Sequence, residues 1–177
     1  MTFDIASIRA DFPILSREVN GQPLVYLDNG ASSQKPQVVI DAVTRAYAHE
    51  YANVHRGLHY LSNLATDKYE AVRGIVARFL NAADESEIVL NSGTTEGINA
   101  VAYGWAMENL TAGDEIILSV MEHHANIVPW HFLRERYGVV LKWVDIDAQG
   151  NLDPQAVIDA ISERSKLIAI THMSNVL

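Results

Sequence analysis

Two rhythms of apolar and polar positions alternate along this chain, one with the period of a helix and one with that of a strand. Residues 4–10 read as a short helix that Pro13 stops. Leu24-Val25-Tyr26-Leu27 is a compact apolar run between Asn20-Gly21 and Asp28-Asn29-Gly30, which predicts a strand bounded by turns. Pro36 suits the first turn of a helix with Ser33 as its cap, and Val39, Val43, Ala46 and Tyr47 mark one face of it. Residues 52–59 are polar and contain Gly57, so they predict a loop. From Ser62 a longer helix is expected, because Ala65, Tyr69, Val72, Val76 and Phe79 recur at spacings of four and three.

From Glu87 onward the two rhythms take turns. Strands are expected at 87–91, 115–119, 139–144 and 167–170. Between them lie a helical stripe of Ile98, Val101, Ala102 and Trp105, a helix through Trp130-His131-Phe132-Leu133, and a helix over 154–161 capped by Asp153. Near-continuous apolar strands separated by helices predict an α/β fold with a mostly parallel sheet covered by helices on both faces. Residues 1–23 read as an amino-terminal helical segment and 24–177 as part of one α/β domain. Leu177 follows the last predicted strand with no closing helix, so the expectation is an amino-terminal part of a larger fold, incomplete at its carboxy end.

Composition narrows the function. The chain carries 13 Lys+Arg against 22 Asp+Glu, a formal charge of −9, which argues against nucleic-acid partners because phosphate backbones need clustered cations. No apolar run approaches the ~18 residues of a membrane span. The opening Met1-Thr2-Phe3-Asp4-Ile5 lacks the basic-then-apolar pattern of a secretory leader. With no cysteine, this stretch forms no disulfide and performs no thiol chemistry of its own, which fits the cytoplasm.

Candidate chemistry concentrates in four places. Asn91-Ser92-Gly93-Thr94-Thr95-Glu96-Gly97 joins a predicted strand to a helix. Gly93 permits a tight turn, while free amides, the helix dipole and the Thr94 and Thr95 hydroxyls suit a small phosphate. Plain helix capping is the alternative, and the motif is neither a Walker loop nor a dinucleotide fingerprint. Glu122-His123-His124-Ala125-Asn126 follows the strand ending at Ser119, where parallel sheets bind ligands. An imidazole there stacks on a flat ring, moves protons, binds metal, or merely satisfies a loop. Asn53-Val54-His55-Arg56-Gly57-Leu58-His59 puts Arg56 in reach of an anion, whereas Gly57 weakens any metal pairing of His55 with His59. His172 and Asn175 lie just past the last strand, so three polar clusters are expected to converge at one sheet edge. His49 and His131 fall in predicted helices and read as surface or satisfied residues.

At these residues the chain resembles a known family. The three motifs at 91–96, 122–126 and 172–177, strengthened by Tyr26-Leu27-Asp28-Asn29-Gly30-Ala31 and by Asn53–Gly57, occur in the order and spacing of pyridoxal-phosphate cysteine desulfurases. The loops at 53–57 and 122–126 are similar to the SufS-type (group II) members of the class-V aminotransferase family. That resemblance implies the large domain of a fold-type-I pyridoxal phosphate (PLP) transferase, a homodimer, and conversion of L-cysteine to L-alanine. Sulfur would pass as a persulfide to an acceptor protein for iron–sulfur cluster assembly, with L-selenocysteine as an alternative substrate. By position, Thr94 and Thr95 match the phosphate binders. His123 matches the residue that stacks on the pyridine ring and assists proton transfer. Asn175 matches the amide near the cofactor's phenolic oxygen and the substrate carboxylate. Ala31 matches a residue lining the substrate pocket, and His55 and Arg56 match a loop near the active site and dimer interface. The family's Schiff-base lysine and persulfide cysteine lie beyond the point this sequence reaches, together with an aspartate and an arginine of the site. Lys35, Lys68, Lys142 and Lys166 occupy no comparable motif. From other classes, the residues alone leave room for a non-catalytic phosphate-binding module or a metal hydrolase using His55, His59 and His123.

Overall fold

A computed structural model describes residues 3–177, which divide into two compact units, the first ending at Leu90 and the second Asn91–Leu177. In the first, helix α1 (Ile5–Ala10) starts where the Asp4 carboxylate accepts from the Ser7 amide and hydroxyl. A 3-10 turn at Pro13–Ser16 leads to a two-residue antiparallel pair, β1 (Glu18–Val19) with β2 (Gln22–Pro23). Helix α2 (Gln37–Arg45) runs on through a wide π turn at Ala46–Glu50, and α3 (Tyr60–Leu80) is the long helix of this unit.

Three expectations here need correction. Residues 24–27 form no strand: Leu24 gives its amide to the Arg17 carbonyl at the hairpin end, and Val25 and Leu27 stand 75% and 90% exposed. An apolar run supplies strand propensity, but a ladder also needs a neighbour. Ser33 does not cap α2, because its hydroxyl donates to the Asn29 carbonyl and Pro36 holds the cap position. Helix α3 begins two residues before Ser62, with the His59 ring nitrogen accepting from the Ser62 amide in the place of a usual capping oxygen.

The second unit is the α/β part. Its strands are β3 (Glu115–Ser119), β4 (Val140–Val144) and β5 (Ser165–Ala169), all parallel in the order β4-β3-β5. Helix α4 (Thr94–Ala100) continues through a π segment at Val101–Ala106 into α5 (Met107–Asn109). Helix α6 (Val128–Tyr137) connects β3 to β4, and α7 (Pro154–Asp159), capped by the Asp153 carboxylate, connects β4 to β5. Central β3 is buried on both faces, with Ile116, Ile117 and Leu118 fully enclosed. Ala102, Ala106, Leu110, Trp130, Leu133 and Val139 pack against Ile116 and Leu118, each large side chain contributing about 1.5–3 kcal/mol. Flanking β4 and β5 are only partly buried, so helices cover both faces at the centre of this sheet alone. The expected strand at 87–91 is absent, because a 3-10 turn at Glu85–Glu87 takes the Ile88 amide for the Glu85 carbonyl. Among the described residues no helix is long and apolar enough to cross a membrane.

Candidate functional site

The site is assembled at the carboxyl end of β3, where the chain must turn from a buried strand into α6. Ser119 ends the strand, and the loop that follows carries His123 and His124 on a short 3-10 turn at His124–Asn126. His123 caps that turn: its Nδ1 accepts the Ala125 amide at 3.1 Å. An Nδ1 that accepts a backbone N–H carries no proton, so the neutral ring holds its proton on Nε2. Both residues are exposed, with their rings 6.1 Å apart and tilted by 59°.

The beginning of α4 supplies the second half. Gly93 adopts φ +139°, a backbone that only glycine enters without strain, and it turns the chain into the helix. Gly97 donates the first intrahelical bond to the Gly93 carbonyl at 3.1 Å, which leaves the amides of Thr94, Thr95 and Glu96 ahead of the helical ladder. The Glu96 carboxylate folds back to the Ser92 hydroxyl and, at 2.7 Å, to the Ser92 amide. Those bonds hold its carboxyl below the ordinary glutamate value and direct the charge toward Ser92. The hydroxyls of Thr94 and Thr95 remain exposed.

Thr95 and His123 meet in the lining of one cavity of about 390 Å³, together with Asn99, Tyr103, His124 and Phe132. Two of the three expected clusters therefore come together. The third is joined differently: Thr171, not His172 or Asn175, reaches the histidine loop, its amide donating to Glu122 Oε1 at 3.0 Å. His172 and Asn175 lie exposed in the segment beyond and are outside that cavity lining, as is Thr94. The donor set at the start of α4 fits a phosphate, and the His123 ring fits the face of a flat heterocycle. Together they suit the phosphate end and one ring face of pyridoxal phosphate.

In the first unit, Ala31 sits on a turn held by the Tyr26 hydroxyl, which donates to the Ser32 carbonyl at 2.6 Å. His55 adopts the left-handed backbone (φ +66°), its amide donating to Thr66 Oγ1 at 2.9 Å and its Nε2 engaging Glu70. Arg56 stands exposed beside it. Sequence reasoning missed the anchor of this loop. Ser62, 1% exposed, donates its hydroxyl to the Asn53 carbonyl at 2.7 Å and accepts from the Gly57 amide at 3.0 Å. A β-carbon on Gly57 would lie 2.3 Å from Ser62 Cβ, which explains that glycine. With His55 paired to Glu70 and His59 capping α3, the histidines of this loop are occupied, and no cluster of three metal-ligating side chains forms among the described residues. Lys68 pairs with Glu50 at 2.5 Å and Lys142 with Glu115 at 3.2 Å, ordinary ion-pair roles.

Comparison with known proteins bears on this geometry. Residues 25–177 match the family described as aminotransferase class-V. The chain is 54% identical over 177 residues to a cysteine desulfurase of Salmonella newport, covering 100% of this chain and 44% of that protein. It superimposes on the apo structure of a cysteine desulfurase from Thermococcus onnurineus NA1 with a TM-score of 0.84 and 36% identity, covering 99% of this chain and 42% of the other. A structure of a C-DES mutant with glycine covalently linked to its PLP cofactor shares the fold at a TM-score of 0.69 and 22% identity, over 94% of this chain and 41% of that one. The chain thus spans less than half the length of these relatives, and its α/β architecture is theirs.

Proposed function

Since the chain belongs to the class-V aminotransferase family, we propose that it forms the phosphate-anchoring and ring-facing part of a pyridoxal-phosphate cysteine desulfurase of the SufS type. When bound, the cofactor supplies an electron sink for chemistry at the substrate. Thr94 and Thr95, with the amides at the start of α4, hold its phosphate. His123 faces its ring and moves a proton at Nε2, while Nδ1 stays committed to the Ala125 amide. Asn175 takes the amide role beside the phenolic oxygen and the substrate carboxylate, Ala31 lines the pocket, and the loop of His55 and Arg56 works at a dimer interface.

The reaction in this reading converts L-cysteine to L-alanine. A cysteine thiolate that these 177 residues do not contain takes the sulfur as a persulfide, so that one carbon–sulfur bond breaks and one sulfur–sulfur bond forms. The sulfur then goes to an acceptor protein for iron–sulfur cluster assembly in the cytoplasm, with L-selenocysteine as a second substrate. These residues by themselves do not desulfurate cysteine. Residues 1–23 act as an amino-terminal segment and 24–177 belong to the large domain.

The observation that supports this reading best is the shared cavity of Thr95 and His123 beyond a buried parallel strand. The test is equilibrium binding of PLP to a full-length cysteine desulfurase carrying this sequence. Thr95→Ala should weaken retention by about 1–3 kcal/mol, the value of a hydrogen bond to a charged group. Unchanged affinity would overturn the phosphate assignment.

A further inference from the structure

The side chain of the residue before His123 takes part in three hydrogen bonds, as many as that of Asn126 in the same loop. Glu122 is 8% exposed, and its carboxylate bonds to Ser119 at the end of β3 and to Thr171 just beyond β5. The Ser119 hydroxyl donates to Oε1 at 2.5 Å and the Thr171 amide donates to the same oxygen at 3.0 Å. Asn126 Nδ2 donates to Oε2 at 2.8 Å. The other Nδ2 hydrogen of Asn126 reaches the Ala169 carbonyl at 3.0 Å, and its Oδ1 accepts from Trp130 Nε1 at 3.0 Å. Only the nitrogen of an amide can face a carboxylate and a carbonyl, and only its oxygen can face an indole N–H, so the orientation of Asn126 is determined. The Asn126 backbone amide then donates to the His123 carbonyl at 2.8 Å. Both residues that bracket the histidine pair are locked, and His123 lies between them in the chain, its ring tied to the Ala125 amide.

All three donors to Glu122 are neutral. A largely buried carboxylate with no cationic partner among the described residues is a costly way to shape a loop, since hydroxyl and amide donors must offset its lost hydration. A glutamine of the same shape fails in either amide orientation, because its Nε2 would meet Asn126 Nδ2 or the Thr171 amide donor against donor. We propose that Glu122 is a positioning residue. Acting through Asn126 and the His123–Ala125 turn, it fixes where the His123 ring and its Nε2 proton point, and it ties that position to the end of β5 at Ala169 and Thr171.

The proposal rests on the reading that His123 works at the cofactor, and the test separates the two. In the full-length holoenzyme, Glu122→Gln should lower kcat about 10- to 100-fold, the cost of a misplaced reacting group, with KM within about threefold. It should also change the visible circular dichroism of the bound cofactor, whose sign and size follow the ring's surroundings. In a His123→Gln background, Glu122→Gln should cost no further activity. An equal additional loss in that background, or wild-type kcat and dichroism in Glu122→Gln, would overturn the positioning role. Wild-type turnover in His123→Gln alone would instead overturn the reading of His123. Should Glu122→Gln fail to fold, Ser119→Ala removes one donor gently. It should lower kcat two- to fivefold with the same dependence on His123, and a kcat equal to wild type would overturn the proposal.

Discussion

The two ends of β3 use acidic side chains in opposite ways. At its start, the Glu115 carboxylate accepts from Ser162 and Ser165 at 2.6 and 2.8 Å and pairs with Lys142 at 3.2 Å. Next to it, Asp114 accepts the Thr111 amide at 2.8 Å and faces Arg164, whose guanidinium also donates to the Gly113 and Ala112 carbonyls at 2.6 and 2.9 Å. These bonds tie the start of β3 to Lys142 in β4 and to the start of β5 at Ser165, where the β3–β5 register shifts, and cations balance the charge. At the other end the donors to Glu122 are neutral, and they come from the last residue of β3 and from the segments just beyond β3 and β5. One end of the strand is built to hold the sheet together. The other is built to hold a side chain still, at the edge where parallel sheets present ligands.

The largest effect expected from breaking that contrast is at His123. In the full-length enzyme, His123→Ala should retain PLP but lose about 10²- to 10⁴-fold in kcat, the usual contribution of a positioned proton donor. Steady-state kinetics with L-cysteine decide it. A turnover equal to wild type would make the carboxyl end as purely structural as the other end.

How much of this was readable in the residues depends on how local each signal is. Asp153 caps its helix as its position suggests, and β3, α6 and β4 follow their apolar patterns to within a residue or two. His123 stood out because a histidine after a buried strand is chemically conspicuous. Glu122 did not, because its partner Thr171 is 49 residues away in sequence and Ala169 is 43 from Asn126. The strands expected at 24–27 and 87–91 failed for a related reason. Apolar content is local, while the decision to form a ladder belongs to a neighbour that periodicity does not name. Likewise Gly57 reads as an ordinary loop glycine until Ser62 is seen packed against it.

A middle-sized effect should come from Trp130, which serves both the core and the latch. The side chain is 2% exposed and its Nε1 donates to Asn126 at 3.0 Å. Trp130→Phe keeps most of the apolar surface but orphans the Asn126 oxygen, at a cost of about 1–3 kcal/mol. Chemical denaturation should report that loss. The cofactor dichroism should shift as well, because Asn126 loses one of its three side-chain bonds and is held less firmly. A stability loss with unchanged dichroism would place Trp130 with the sheet-holding end of the contrast and not with the loop.

The smallest effect belongs to the start of the strand, and acid is the way to see it. Hydrogen bonds from Ser162 and Ser165, with help from Lys142, hold the Glu115 carboxyl below its ordinary value of 4.5. A carboxyl with a depressed folded pKa stabilises the protein above its unfolded pKa, and that contribution fades as pH falls through the folded value. Asp114 is lowered in the same direction, first by the Thr111 amide, so the clamp as a whole should loosen below about pH 4.5. Glu115→Gln removes one of these titrations. Its thermal midpoint should therefore fall less steeply than wild type between about pH 5 and pH 3, while kcat near neutrality stays unchanged. Parallel acid slopes for the two proteins would show that Glu115 contributes nothing through its charge. A fall in neutral kcat would show that the two ends of β3 are coupled through the strand, and the division between a holding end and a working end would no longer stand.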